Sequence, residues 1–283
     1  MIISIALDRN YLEFAAVMLH SLARFGQVAD CPIAVLCDGL TDDDKRVLSE
    51  ASDSDRIRFV DLTGAVKRQI ADLKSTTNWP TTVYACVLAA DILEDVSGRL
   101  LMLDCDILVR DSLRPLIDLP LDGKAVGAVR IDKDAAFLAT VNRRLGLPET
   151  TPYFNSGALL IDIGHWRRAA ITPRALAWAS SHADQIVYPD QDALNYALAG
   201  DFMPLDPRWN CYGKSWDTSD AAVIHFVYSK PNRADSQHPA KDLWLECRKG
   251  TAFASRALVT PWDISRRRWA KKLKALLPAR SNA

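Results

Sequence analysis

"RLLMLDCDILVRD", residues 99 to 111, sets an apolar run against two aspartates, Asp104 and Asp106, with a single cysteine between them. The run before the acids has the make-up of a buried strand, and further apolar residues, "ILV", follow them. A solvated surface turn would not be framed in this way. Burying two neighbouring carboxylates is costly unless a cation or dense hydrogen bonding compensates. Carboxylate oxygens are the preferred ligands of hard divalent cations. The stretch therefore predicts a strand whose carboxyl end carries a ligand site.

Working outward, short apolar runs alternate with longer helical patterns. "IISIAL" (2–7), "PIAVLC" (32–37), "RIRFVDL" (56–62) and "RLLMLD" (99–104) read as strands, as do "AVGAVR" (125–130), "SGALLIDI" (156–163) and "AAVIHF" (221–226). Between them, "NYLEFAAVMLHSLARF" (10–25) spaces its apolar residues by three and four, and "TDDDKRVLSEAS" (41–52) opens with a Thr cap and acids in its first turn. "TTVYACVLAADIL" (81–93), "PRALAWASSHA" (173–183) and "DQDALNYALAG" (190–200) complete the helical set. Such alternation predicts an α/β chain with a largely parallel sheet covered on both faces. Ligands of these sheets gather outside the carboxyl ends of the strands. Asp8 and Asn10, Asp38, the Asp104/Asp106 pair and His225 all fall at such ends.

The bulk properties fit an ordinary globular protein, with 283 residues, 49% of them apolar and 25% charged. Thirty-five basic and thirty-five acidic residues cancel, so nothing global points to nucleic acid. From Asp263 onward, however, seven Lys or Arg face that one acid, leaving the tail near +6 and the remainder near −6. The N-terminal apolar stretch is broken by Asp8, Arg9 and Glu13, so a signal peptide is not expected, nor is a membrane span. Six cysteines without a Cys-x-x-Cys pair read as reduced thiols in a cytoplasm.

"DCD" by itself admits two enzymatic readings: a metal-bridged nucleotide sugar, or a haloacid-dehalogenase-type phosphatase with Asp104 as nucleophile. The second suits a motif near the N-terminus with Thr or Val two places after the second acid. Here three strands precede it and Leu108 holds that place.

Five stretches in order, "IALDRNYLEFAAVMLHSL" (5–22), "LLMLDCDILVRDSL" (100–113), "YFNSGALLIDIGHWRR" (153–168), "PDQDALNYAL" (189–198) and "VIHFVYSKP" (223–231), together resemble glycosyltransferase family 8. This family includes bacterial lipopolysaccharide galactosyl- and glucosyltransferases and glycogenin. The resemblance implies the glycosyltransferase A fold, a UDP-sugar donor, and manganese, with magnesium as the alternative. By position, Ala6, Asp8, Asn10 and Tyr11 would hold uracil and ribose. Asp104, Asp106 and His225 would hold the metal, with Cys105 and Asp192 counted on the donor side and Lys230 on the diphosphate. Asn155, Asp190 and Gln191 would be the catalytic, sugar-side residues, and Asp132 a weaker candidate there. A lone His beside an apolar strand is more often structural; the Lys230-Pro231 pair five residues later favours the ligand reading. The implied activity is retaining transfer of a hexose to a saccharide or lipid-linked acceptor of a surface glycan. A degenerate protein that binds the nucleotide sugar without turnover is the alternative.

Two departures from the family pattern bear on donor binding. Its Tyr-Ala-Arg is here Tyr84-Ala85-Cys86, and its His-x-x-Gly-x-x-Lys-Pro-Trp loop is one residue shorter, lacks the Gly and ends Lys230-Pro231-Asn232. The expected organisation is a catalytic domain over 1–250 and a basic tail over 251–283. In the tail, Trp269, Leu273 and Leu276 or Leu277 share a helical face, with Arg267, Lys271 and Lys274 opposite and Trp262 at the hinge. Such a helix either docks on the acidic body or lies on anionic lipid, placing the protein peripherally at the inner face of a membrane.

Overall fold

The computed structural model describes residues 1–52, 55–62, 64–71, 73, 81–212, 218–266 and 269. The first half alternates as the apolar runs dictate: β1 (Ile2–Asp8), α1 (Leu12–Phe25), β2 (Ile33–Asp38), α2 (Asp42–Ser52), β3 (Ile57–Asp61), α3 (Gly64–Ala71), α4 (Ala85–Ile92) and β4 (Arg99–Leu103). Then come β5 (Ile107–Val109), α5 (Arg114–Ile117), β6 (Val126–Arg130), α6 (Ala135–Leu145) and β7 (Phe154–Asp162). The chain continues through α7 (Ile163–Arg168), α8 (Ile171–Ser181), α9 (Pro189–Leu198), β8 (Met203–Leu205), β9 (Val223–His225) and α10 (Lys241–Lys249). Thr41 caps α2 as its sequence predicts: the Asp44 amide donates to the Thr41 hydroxyl at 3.2 Å, and the Asp44 carboxylate accepts from the Thr41 amide at 3.0 Å.

The main sheet has the order β3-β2-β1-β4-β7-β6-β8. Alternate side chains feed two cores. Ile3, Ile5, Leu101 and Leu103 point into the layer with α1 and α10, while Ile2, Leu100 and Met102 point into the layer with α4, α8 and α9. In the inner strands β2, β1, β4, β7 and β6 most residues are buried and both faces read apolar, as a sheet covered on both sides requires, while the edge strand β3 is only partly covered.

The sheet is largely parallel, as expected: β3 to β4 pair parallel and so do β6 and β8, while β7 runs antiparallel to β4, with Leu101 opposite Leu160, and to β6. One expectation is corrected. The expected strand at 221–226 does not join this sheet. Its core, β9, pairs antiparallel with β5 in a separate ribbon, placing Ile107 opposite His225. That ribbon folds His225 back over the end of β4.

The chain does not leave the body at residue 250. Val259 exchanges backbone hydrogen bonds with Asn232 and Ala234, and Arg256 reaches the Glu13 carboxylate at 3.3 Å. Residues 261–266 are helical, with Trp262 and Trp269 both exposed. Arg267, Lys271, Leu273, Lys274, Leu276 and Leu277, on which the amphipathic reading of the tail depends, lie outside the described residues. No described helix is long and apolar enough to cross a membrane.

Candidate active site at the strand ends

Asp8 ends β1 and caps the 3-10 turn that follows, its carboxylate accepting from the Asn10 amide at 2.9 Å and the Asn10 side chain at 3.1 Å. Tyr11 closes that turn and leans on Phe14, ring centroids 6.0 Å apart. Its hydroxyl is pushed well above the ordinary tyrosine range, by burial first and then by Asp106 and Asp104. The expected nucleotide side and the aspartate pair thus share one electrostatic environment. The Cys105 thiol, raised by burial and then by Asp104, Asp106 and Asp8, donates to the Ala6 carbonyl at 3.1 Å, tying β4 to β1.

Asp104 is held by its own amide, which donates to the Gly157 carbonyl of β7 at 2.9 Å; the Asp106 carbonyl accepts from the Phe226 amide at 3.0 Å. These bonds bring β4, β7 and β9 to one point. His225 Nε2 lies 3.4 Å from an Asp104 oxygen and 3.2 Å from an Asp106 oxygen. One donor atom from each of the three fits within 4.8 Å, the arrangement a single cation needs. Two acceptor-only carboxylates and an imidazole nitrogen suit a divalent ion of the manganese or magnesium class. The ring of His225 rests on bare backbone: a Cβ on Gly157 would lie 2.3 Å from its Cε1. The residues present fit the implied ion.

The remaining charges are arranged unequally. Burial pushes Asp104 up to about 7, Asp106 and Asp190 adding to the rise and His225 opposing it. Burial would also raise Asp106, but Lys230, whose ammonium pairs with it, and His225 outweigh that and hold it below the usual range.

The sugar-side candidates converge beside this cluster, though not all in the expected role. Asp190, at the start of α9, is raised by burial and accepts from the Ser156 hydroxyl and, at 3.5 Å, from the Cys86 thiol. Cys86 therefore sits at the site, against the sugar-side acid. Asn155 donates to Gln191 Oε1 at 2.8 Å, and Gln191 donates onward to the Tyr153 hydroxyl at 3.0 Å. Asp192, read as a donor-binding residue, turns inward instead. It is fully buried, accepting from Tyr153 at 2.7 Å and from the Arg144 guanidinium at 2.5 and 2.9 Å. Two backbone amides, of Val187 and Tyr188, complete its shell. Asp132 is exposed and raises the Tyr212 hydroxyl electrostatically, after burial and Tyr228, which puts it at the rim.

Sequence reasoning missed Arg144, Tyr153, Gly157 and Asn210. Asn210 precedes Cys211, which bridges to Ile224 of β9, so it lies directly against His225. Only the interior polarity of "RWNCY" (208–212) hinted at it. A groove of about 500 Å³ on α8 and α9, lined by Trp178, His182 and Tyr196, contains none of these residues.

The family model described as "Glycosyl transferase family 8" matches residues 2–233. Lipopolysaccharide glucosyltransferase WaaO of Escherichia coli (strain K12) is 24% identical over 282 residues, covering 94% of this chain and 82% of that protein. General stress protein A of Bacillus subtilis (strain 168) is 27% identical over 83% of this chain and 88% of its own length. Among solved structures, the galactosyltransferase LgtC with donor and acceptor sugar analogs superposes with a TM-score of 0.75 at 24% identity. It covers 89% of this chain and 96% of that one, a likeness that carries the fold.

Proposed function

This chain belongs to glycosyl transferase family 8, and we propose that it transfers a hexose with retention from a UDP-sugar to a glycan acceptor, using a divalent metal ion. The observation that carries this reading is the convergence of Asp104, Asp106 and His225 beside Asp8 and Tyr11. When bound, the ion would neutralise charge developing on the leaving diphosphate. Asp104, Asp106 and His225 would hold it. Lys230, paired with Asp106, can turn to the diphosphate once an ion takes over that carboxylate. Asp8, Asn10 and Tyr11 would bind the nucleoside, and Asp190 and Asn155 would orient the sugar.

A double displacement needs a carboxylate nucleophile beneath the ring. Gln191 is an amide with both ends committed, its Oε1 to Asn155 and its Nε2 to Tyr153. That favours a front-face route in which the acceptor oxygen bonds to the anomeric carbon as the C–O bond to diphosphate breaks, the acceptor proton passing to the diphosphate. The relatives named for lipopolysaccharide synthesis support a bacterial surface glycan as acceptor, and the basic tail with the exposed Trp262 supports a membrane-peripheral setting.

The second reading, a protein that binds the nucleotide sugar without turning it over, draws on Cys86. Opposite Asp190 it offers a thiol where the family pattern places a guanidinium. The phosphatase alternative falls with the family assignment. Incubation with UDP-glucose, UDP-galactose and related donors plus manganese separates the readings. Release of UDP supports transfer or slow hydrolysis; saturable binding without release supports the second reading; neither would contradict both.

A further inference from the structure

We infer that Asn210 is the positioning residue that fixes His225 as its Nδ1–H tautomer and so presents Nε2 as a lone pair to the metal ion; this rests on the metal-dependent reading above. Asn210 is buried, and its side chain lies between two others. Its Oδ1 is 3.0 Å from His225 Nδ1, and its Nδ2 donates to Asn155 Oδ1 at 2.7 Å.

The assignment follows from donor and acceptor capacity alone. The Gly157 amide donates to Asn155 Oδ1 at 3.0 Å, so that atom is the oxygen, and Asn155 Nδ2 is left to donate to Gln191 Oε1 at 2.8 Å. The Ser156 amide, at 3.4 Å from the same Gln191 oxygen, gives Gln191 the same orientation. Gln191 Nε2 then donates to Tyr153, and Tyr153 donates to the Asp192 carboxylate, which can only accept. Every link from the Arg144–Asp192 pair to Asn155 therefore runs in one direction. An Asn155 oxygen requires a donor from Asn210, which turns the Asn210 oxygen towards His225. Only an Nδ1–H satisfies that oxygen. Nε2 is then the free lone pair, and it faces the gap between Asp104 and Asp106 at 3.4 and 3.2 Å. Gly157 supplies the flat floor that lets the ring lie in this pose.

A buried partner of this kind on the far nitrogen of a metal-binding histidine is worth about 10–100-fold in metal affinity. The chain also gives Asp192 and Gln191 a joint role: they hold the sugar side and the metal side in one register.

The test uses the full-length protein, nitrogen NMR of the His225 ring in metal-free samples, and titration with Mn2+ alone. Wild type should show the Nδ1–H tautomer and saturable binding. Asn210→Leu, with the same branching and number of heavy atoms but without polar atoms, should lose the single tautomer and bind Mn2+ about 10–100-fold more weakly, with circular dichroism confirming the fold. Asn210→Asp keeps an acceptor for Nδ1 and should restore both the tautomer and most of the affinity. An Nε2–H tautomer in wild type overturns the inference whatever the variants do. So does Asn210→Leu with wild-type tautomer and affinity, or a folded Asn210→Asp that binds as poorly as the leucine variant. Nδ1–H in wild type with no Mn2+ binding would instead contradict the proposed function, which keeps the two failures apart.

Discussion

Asp104 and Asp106 stand two positions apart and are driven in opposite directions. Asp106 has Lys230 on it and stays ionised; Asp104 is raised to about 7 by burial, then by Asp106 and Asp190. Its proton must leave before a cation can be held. Manganese affinity should therefore climb as pH rises towards 7 and level off above it, and Asp104→Asn should flatten that climb while lowering affinity throughout. The stability of the metal-free protein should run the other way. A carboxyl raised on folding contributes stability that is complete below its unfolded value near 4 and is lost as pH rises through about 7. Metal-free wild type should accordingly lose Tm between pH 5 and 8 by more than Asp104→Asn does, which differential scanning fluorimetry would read. Cys86 carries the second prediction at this scale. Its thiol is 3.5 Å from Asp190, so Cys86→Arg would bring a guanidinium onto that acid and the diphosphate side. Donor affinity should tighten or donor preference shift; unchanged kinetics across a donor panel would contradict a role for this position in donor choice.

Among the elements, β7 does more for the site than its sequence foretold. Gly157 gives its carbonyl to the Asp104 amide and its open face to the His225 ring, whose Cε1 a Cβ would approach to 2.3 Å. Gly157→Ala should cost about 1–3 kcal/mol through overpacking and weaken manganese binding more than it lowers Tm, because the ring has to swing. Equal binding by wild type and variant would contradict this seating. The strands of the first half were legible because each is a short apolar run between caps and turns. The antiparallel entry of β7 was not, since strand direction leaves no trace in composition. The β5–β9 ribbon was hidden for another reason: with three residues in each strand, no periodicity exists to read. Site residues at strand ends, such as Asp8 and Asp104, could be placed by topology alone. Asn210 and Tyr153 could not, because their function lies in hydrogen-bond partners far away in sequence. Asp192 misled the reading for the mirror-image reason: an acid in an acidic cluster looks like a ligand until Arg144 is found behind it.

Taken whole, the molecule is a family 8 glycosyltransferase with a charge asymmetry, acidic in its body and basic after Asp263. Trp262 and Trp269 are exposed by 68% and 67%, unusual for tryptophan and suited to a lipid headgroup layer. Each basic residue near an anionic surface contributes on the order of 1 kcal/mol, so seven can hold the protein reversibly. Removing residues 262–283 should abolish sedimentation with anionic vesicles while leaving transfer to a small soluble acceptor near normal, and salt should weaken the full-length interaction. A full-length protein that ignores such vesicles at low salt would assign the tail a structural role.

The central claim, that Asp104, Asp106 and His225 hold a metal ion that recruits the nucleotide diphosphate, is tested most directly by titrating UDP calorimetrically with and without manganese into wild type and Asp106→Asn. The account predicts that manganese tightens UDP binding to wild type by at least about tenfold, and that the variant, folded and with a similar Tm, loses this gain. UDP binding that ignores manganese in wild type, or keeps its full metal dependence in Asp106→Asn, would contradict it.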